Sequence, residues 1–154
     1  MACGPANASG LRLQLFVDPI TGIVQTRFVP QIHHIGFQGV AHGGVIAIVL
    51  DEAMVWAASW AGKRFCLCGE MNVRFRKKAE VGQTLAFIAR VESSRARLIS
   101  TSAEAMDEMG NVVATATGKY VPLAEEVNRE FVGTFVESPA TVAAAGMMRG
   151  EIRS

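Results

Sequence analysis

The sequence has little net charge and few aromatic residues, and both shortages exclude classes of binding partner. Lys and Arg number 15 against 14 Asp and Glu, a net charge of +1, so no overall attraction to nucleic acid or to an anionic membrane is expected. Aromatic residues make up 7% of the chain, with one tyrosine, too few to interleave with basic side chains as a platform for stacked bases. We therefore expect neither nucleic acid nor a membrane as a partner.

Cysteine is scarce as well, with three in the chain. The count is odd, and the single residue between Cys66 and Cys68 suits neither a zinc site nor a disulfide framework. Residues 1–10 contain no basic region followed by an apolar run, the pattern of a secretory signal. We therefore expect reduced thiols, no metal and a cytoplasmic location.

Apolar residues are abundant: they make up half of the 154 residues, which is enough for one domain with a sizeable core. The segment 45–61 is apolar almost throughout, but Asp51 and Glu52 lie at its centre, where a membrane span would tolerate them poorly. It is apolar on nearly every face, which predicts a buried helix that other elements wrap. Gly43 and Gly44 precede this helix, and Gly62 ends it.

Strands are predicted on both sides of the helix because apolar and polar residues alternate there. Two strands precede it (11–17 and 23–29, joined by a turn at 18–22), and four follow it, with turns at 93–95 and 107–111. Short connections pair successive strands antiparallel, so we expect an α+β fold with a curved antiparallel sheet around one long helix. Residues 124–131 suggest a short helix, and 141–154 a loosely held tail.

Four glycines lie among residues 36–44, directly before the helix. Such a loop lets a ligand approach the backbone closely, and the helix start offers unpaired N–H groups and a positive dipole end to an anion or a developing oxyanion. The spacing matches neither the Walker pattern nor the dinucleotide fingerprint.

Asp51 stands among apolar neighbours on the helix, where an unpaired carboxylate is costly. It is therefore either a functional group or the partner of an arginine from a strand. Glu52, about 100° further round the helix, is the better candidate for a structural ion pair.

The run His42-Gly43-Gly44, six residues, then Asp51-Glu52-Ala53 resembles the hotdog-fold acyl-CoA thioesterases, in the phenylacetate-pathway branch of the 4-hydroxybenzoyl-CoA thioesterase superfamily. The resemblance continues in the segments 70–76, 81–85 and 118–122, and covers roughly 11–122. It implies a single hotdog domain over 1–154, with its core at 11–122 and a C-terminal extension at 123–154.

The resemblance also implies a catalytic machinery. The backbone N–H of Gly43 polarises the thioester carbonyl, His42 shapes the loop, and Asp51 activates water or attacks the acyl carbon. In the family this acid acts across a dimer interface, so a homodimer is expected, with pairing of dimers into a tetramer left open. No cofactor is implied beyond the coenzyme A that is part of the substrate.

Four further residues are candidates for substrate binding beside Gly44. Cys68 stands where many relatives carry Ser or Thr, and Gln38 is a possible substitute for an Asn that orients water in some relatives, since Gly36 occupies that position here. Arg74 and Arg76 are candidates for the phosphates of coenzyme A; a solvated strand face is the equally weighted alternative.

We therefore expect an acyl-CoA thioesterase that hydrolyses a thioester to a carboxylate and free coenzyme A. The alternative is a protein that binds acyl-CoA or another thioester without turning it over, as a sensor or scaffold. A hotdog dehydratase fits the spacing less well, since that branch typically uses a catalytic histidine.

Overall fold

The computed structural model describes residues 9–134 and 146–149. In chain order the helices and strands are β1 (Phe16–Val17), β2 (Val24–Phe28), β3 (Ile35–Phe37), β4 (Val40–Ala41), α1 (Gly43–Gly62), β5 (Cys66–Phe75), β6 (Leu85–Arg95), β7 (Leu98–Met106), β8 (Val112–Pro122) and α2 (Glu125–Gly133). A single 3₁₀ turn, Ile32–His34, precedes β3.

Six strands form one antiparallel sheet in the order β1-β2-β6-β7-β8-β5, and α1 packs against five of them. The core lies between them, where one face of α1 meets Val24, Phe87, Ile99 and Tyr120 of the sheet. This confirms the predicted α+β architecture, because a helix with so many apolar residues is covered only when the sheet curves around it.

The helix α1 begins and ends close to the predicted positions. His42 is its N-cap, and Lys63 follows it in the left-handed conformation, donating its N–H to the carbonyls of Ser59 and Trp60. By length and composition alone α1 could cross a membrane. Core helices share that composition, and eight residues of α1 are buried in the fold.

The turns agree with the sequence in position, with one shift. Asp18 accepts backbone N–H groups from Ile20 and Thr21, and Gly22 closes the β1–β2 turn at φ 70°. The turn expected at 93–95 lies at residues 96–97 instead, because β6 continues through Arg95. The first predicted strand is mostly irregular, with β1 reduced to two residues.

A short ribbon between β3 and β4 was not predicted. It turns at Gln38 and Gly39, which both have positive φ, as a tight two-residue hairpin requires. Its two strands contain three and two residues, which are too few for an alternation of apolar and polar side chains to be recognised in the sequence. The ribbon matters because it leads directly into α1.

Strand β5 is an edge strand with two different faces. Its inner face carries Cys68, Met71, Val73 and Phe75, which pair with Tyr120, Gly118, Ala116 and Ala114 of β8. The register shifts between Cys68 and Glu70, so that Gly69 is an extra residue in the strand. The bulge lets Cys68 and Met71 face the helix together, although Met71 lies an odd number of positions, three, after Cys68.

Beyond the sheet, the predicted short helix is confirmed as α2. Asn128 of α2 is buried, accepts the N–H of Phe65 and donates its amide to the carbonyl of Met148. Most of the tail expected at 141–154 lies outside the described residues, and the division into a core at 11–122 and an extension stays a prediction.

We expect Thr101→Val to stabilise the protein. Among the buried side chains that the structure describes, the Thr101 hydroxyl is the one without a hydrogen-bond partner, and valine keeps the shape without it. The free energy of unfolding should rise by about 1 kcal/mol, and Tm by roughly 2–4 °C, in urea and thermal unfolding.

Thr26 supplies the matched control for this substitution. It is also buried, but its hydroxyl donates to the Gln14 carbonyl at 2.8 Å. Thr26→Val should therefore lower the free energy of unfolding. A loss of stability of similar size in both variants would contradict the unpartnered state of Thr101.

Candidate active site

The start of α1 presents one unpaired backbone donor. The imidazole Nδ1 of His42 accepts the N–H of Gly44 at 2.9 Å, and the His42 carbonyl accepts the N–H of Val45 at 2.9 Å. The N–H of Gly43 has no acceptor among the described residues. His42 thus accepts hydrogen bonds from the N–H groups of Gly44 and Val45. The N–H of Gly43 is left as the free donor at the positive end of the helix dipole.

Backbone hydrogen bonds fix the loop that carries this donor. The N–H of Ala41 donates to the Ala79 carbonyl and that of His42 to the His34 carbonyl, both at 2.8 Å, while Val81 donates to Gly39. The ribbon of β3 and β4 is therefore anchored on both sides before the helix begins. A donor that is fixed in advance costs no reorganisation when charge develops beside it.

A side chain would be crowded by close neighbours at three positions of the loop. A Cβ on Gly36 would lie 2.9 Å from the backbone of His42, and one on Gly44 would lie 2.9 Å from the His42 imidazole. A Cβ on Gly43 would come within 3.1 Å of the Phe75 ring. Gly36 therefore serves the packing of His42, which explains why no larger residue occupies that position.

A cavity of about 380 Å³ opens beside Gly43. Its floor is apolar, and its rim is basic. The residues that line it include Gly43, Phe75, Arg76, Lys77 and Lys78. The basic side chains are exposed, so they can reach an anionic ligand at the cavity mouth.

The Asp51 carboxylate is held by a neutral partner. Its Oδ1 accepts the hydroxyl hydrogen of Tyr120 at 2.7 Å, and no arginine or lysine pairs with it in the described part of the chain. The alternative of an arginine-bound structural carboxylate is therefore wrong for residues 9–134 and 146–149. Asp51 is half-buried on α1 and keeps a second oxygen that Tyr120 does not engage.

Cys68 joins these two residues from β5. Burial, then the Asp51 charge and the hydrogen bond to Asp51, raise the pKa of the Cys68 thiol. Burial and the contacts with Asp51 and Cys68 also raise the pKa of Tyr120, so its phenol stays protonated and remains a donor. The cluster thus consists of one carboxylate and two protonated neighbours.

The two halves of the site do not meet within one chain. Gly43 and Asp51 are eight residues apart on one straight helix, which separates them by about 12 Å along its axis. No single carbonyl carbon can be attacked from Asp51 while its oxygen binds Gly43 of the same chain. Gly43 and Asp51 of one chain therefore cannot act on the same carbonyl group.

The structure distributes the predicted site residues unevenly. It places His42, Gly43 and Gly44 at the helix start with Arg76 beside them, and Asp51 with Cys68. Gln38 is exposed at the tip of the ribbon, without a described hydrogen bond to Asp51 or Gly43. Its part in binding stays a prediction.

Arg74 does not line the cavity beside Gly43, although it was a candidate for phosphate binding together with Arg76. It pairs with Thr115 on the outer face of the sheet, alongside Glu70 and its ion-pair partner Lys119. Arg76 follows the end of β5, where the N–H groups of Arg76 and Lys77 both donate to the Val113 carbonyl and turn the chain toward the cavity. Only Arg76 therefore lies beside Gly43.

Tyr120 is the site residue that sequence reasoning missed. Two signals stand in the sequence: it is the one tyrosine of the chain, and a glycine lies two residues before it on the same strand face. Neither signal reveals a contact with Asp51 across 69 residues. No group of three His, Cys, Asp or Glu side chains that could hold a metal occurs among the described residues.

Comparison with known proteins places the chain among thioesterases. Residues 38–114 match the family model described as the thioesterase superfamily, and this range contains Gly43, Asp51 and Cys68. No curated protein sequence matches the chain significantly.

Solved structures share the fold at low sequence identity. A Streptococcus mutans protein bound to acetyl-CoA superposes with a TM-score of 0.68 at 17% identity, over 73% of this chain and 90% of its own. The PaaI protein of the E. coli phenylacetic acid degradation operon gives 0.68 at 18%, over 74% and 81%. A phenylacetic acid degradation-related protein of Ralstonia eutropha gives 0.68 at 24%, over 78% and 92%. The predicted hotdog fold is confirmed.

We expect Asp51→Asn to increase the reactivity of Cys68. The Asp51 charge contributes to the raised pKa of this thiol, so its removal lowers the pKa and increases the thiolate fraction near neutral pH. Alkylation of Cys68 by iodoacetamide, followed by mass spectrometry of its peptide, should become several-fold faster.

Cys66 is the internal control in the same digest, because burial raises its pKa to about 11 and Asp51 does not contribute. Its alkylation rate should be equal in both proteins. Equal rates at Cys68 as well would show that the thiol and the carboxylate are not neighbours.

Proposed function

The chain belongs to the thioesterase superfamily, and from this membership we propose that it is an acyl-CoA thioesterase. The observation that carries the proposal concerns residues 9–134 and 146–149: no basic side chain among them pairs with the Asp51 carboxylate, and the first N–H of the same helix has no acceptor there. Hydrolysis of a thioester needs a donor for the carbonyl oxygen and a base or nucleophile for the acyl carbon. Gly43 and Asp51 are of these two types.

The Gly43 N–H is proposed as the oxyanion donor. When the acyl carbon becomes tetrahedral, negative charge moves to its oxygen, and the helix start stabilises that charge. The donor is fixed by the anchored ribbon and by the His42 cap, so it points in one direction before substrate binds.

Asp51 is proposed as the group that completes the reaction, in one of two ways. As a base, it takes a proton from water while the water oxygen bonds to the acyl carbon; the C–S bond then breaks, and the thiolate of coenzyme A receives the proton. As a nucleophile, its free oxygen attacks the acyl carbon and releases the thiolate, and water then hydrolyses the mixed anhydride. Both routes give the carboxylic acid and free coenzyme A.

A second copy of the chain is proposed to complete each site. The free edge of β5 is ten residues long and carries Leu67 and Phe75, whose exposures of 55% and 52% are high for apolar side chains. Antiparallel pairing of two such edges about Asn72, with Gly69 as the extra residue of each strand, would lay Cys68 opposite the partner's Phe75. Because Cys68 adjoins Asp51 and Phe75 adjoins Gly43, this pairing brings the two halves together.

Coenzyme A is the proposed carrier of the acyl group. Arg76, Lys77 and Lys78 around the cavity mouth are suited to its phosphates, as Arg and Lys side chains bind phosphate oxygens well. The Streptococcus mutans protein of the same fold was solved with acetyl-CoA. We propose no other cofactor, a cytoplasmic location that keeps Cys66 and Cys68 reduced, and a homodimer, with a dimer of dimers left open.

A second candidate function is binding of a thioester without hydrolysis, as a sensor or scaffold. Cys68 favours it, since a protonated thiol beside Asp51 is a weak hydrogen-bond partner for the attacking water. Tight binding of coenzyme A with no thiol release across a broad acyl-CoA panel would select this function over the first.

We expect Asp51→Asn to abolish most of the hydrolysis. The amide is nearly isosteric but neither accepts a proton from water nor attacks the acyl carbon, so kcat/KM should fall by about 10²–10⁴-fold. Release of the thiol of coenzyme A is followed over acyl-CoA esters of different chain length and aromatic content.

Glu52→Gln is the matched control, the same change of a carboxylate to an amide on the next residue of the helix. It should retain kcat/KM within a few-fold. A wild-type rate in the Asp51→Asn protein, or an equal loss in both variants, would refute the assignment of Asp51.

A further inference from the structure

We propose that Tyr120 is a positioning residue for the reaction: its hydroxyl fixes one oxygen of Asp51, so that the other oxygen is aimed at the acyl carbon or its attacking water. The proposal deepens the thioesterase function above and rests on it. The contact that carries it is the 2.7 Å hydrogen bond from the Tyr120 hydroxyl to Asp51 Oδ1.

The sheet holds Tyr120 rigidly enough for such a task. The side chain is fully buried, and residues on both sides in the sheet, Cys68 of β5 and Ile99 of β7, pair with it. A ring enclosed in this way has one available direction for its hydroxyl. The direction is toward α1 and Asp51.

Gly118 provides the space in which the ring lies. A Cβ built on Gly118 would come within 2.5 Å of Tyr120 Cε2 and 3.1 Å of its hydroxyl oxygen. Since Gly118 stands two residues earlier on the same face of β8, the ring lies over its Cα. The absence of a side chain at Gly118 therefore determines where the Tyr120 hydroxyl points.

A phenol is chemically suited to this task. An arginine would bind both carboxylate oxygens and neutralise the charge that the reaction needs, whereas a phenol donates one hydrogen bond and engages one oxygen. The hydrogen bond also limits rotation of the carboxylate. Misplacement of a reacting group by about 1 Å can lower a rate by about 100-fold.

Tyr120→Phe tests the proposal by removing the hydroxyl and keeping the ring. We expect kcat to fall by about 10-fold to 100-fold, since the carboxylate loses its orientation, while KM for the acyl-CoA ester stays within about twofold of the wild type, since bound substrate does not meet Tyr120. Thr101→Val is the control, because it removes another buried hydroxyl opposite Gly118 and should leave kcat unchanged.

Gly118→Ala separates positioning from a merely structural contribution. The added methyl displaces the ring and its hydroxyl, so kcat should fall in the wild-type background. In a Tyr120→Phe background the same methyl should cause little further loss of kcat, because no hydroxyl is left to displace. Equal losses of kcat in both backgrounds, or an unchanged kcat in Tyr120→Phe, would overturn the proposal.

Crystal structures of the variants test the inference independently of any measurement of catalytic activity. In Tyr120→Phe, an Asp51 carboxylate that is rotated or spread over several rotamers supports positioning, and an unchanged carboxylate overturns it. If the wild-type protein hydrolyses no thioester, the thioesterase proposal and the catalytic part of this inference both fail. If it hydrolyses one and Tyr120→Phe is equally fast, only the positioning inference fails.

Discussion

One buried hydrogen bond, from Tyr120 to Asp51, reconciles an acidic residue with an apolar helix. A carboxylate inside a protein normally requires a positive partner or several donors. Here both contacting groups are neutral: the Tyr120 hydroxyl engages Oδ1, the Cys68 thiol also lies against the carboxylate, and Asp51 is half-buried. The helix can therefore be wrapped by the sheet and still present a negative charge. The glycine at 118 and the bulge at 69 are local adjustments of the sheet around that charge.

The spacing of Gly43 and Asp51 along α1 imposes the second constraint. It carries the free N–H at its first residue and the carboxylate two turns later, and a rigid helix keeps them about 12 Å apart. One substrate can meet both groups only if they come from different chains. The unprotected edge of β5 and its exposed apolar residues offer the surface for that pairing, so the arrangement of the site and the proposed assembly share one cause.

Much of this fold is predictable from the sequence because periodicity reports burial directly. The helix around Asp51 follows from an almost continuous apolar segment, and the long strands follow from the alternation that one core imposes. The ribbon at 35–41 is too short for that test, and the bulge at Gly69 depends on pairing with β8. Two further features depend on tertiary packing, which no local sequence pattern encodes: the position of Arg74 on the outer face and the contact of Tyr120 with Asp51.

A mixture of two inactive proteins, Asp51→Asn and Gly43→Pro, tests the shared site most directly. Proline suits the first residue of α1 after the extended His42 (ψ 131°) and removes the N–H, while Gly43→Ala also places a Cβ beside Phe75 and keeps the N–H. Random pairing after co-refolding makes half of the dimers hybrids with one intact site each, so we expect about a quarter of the wild-type thiol release. A mixture no more active than its two components would contradict a site shared between chains.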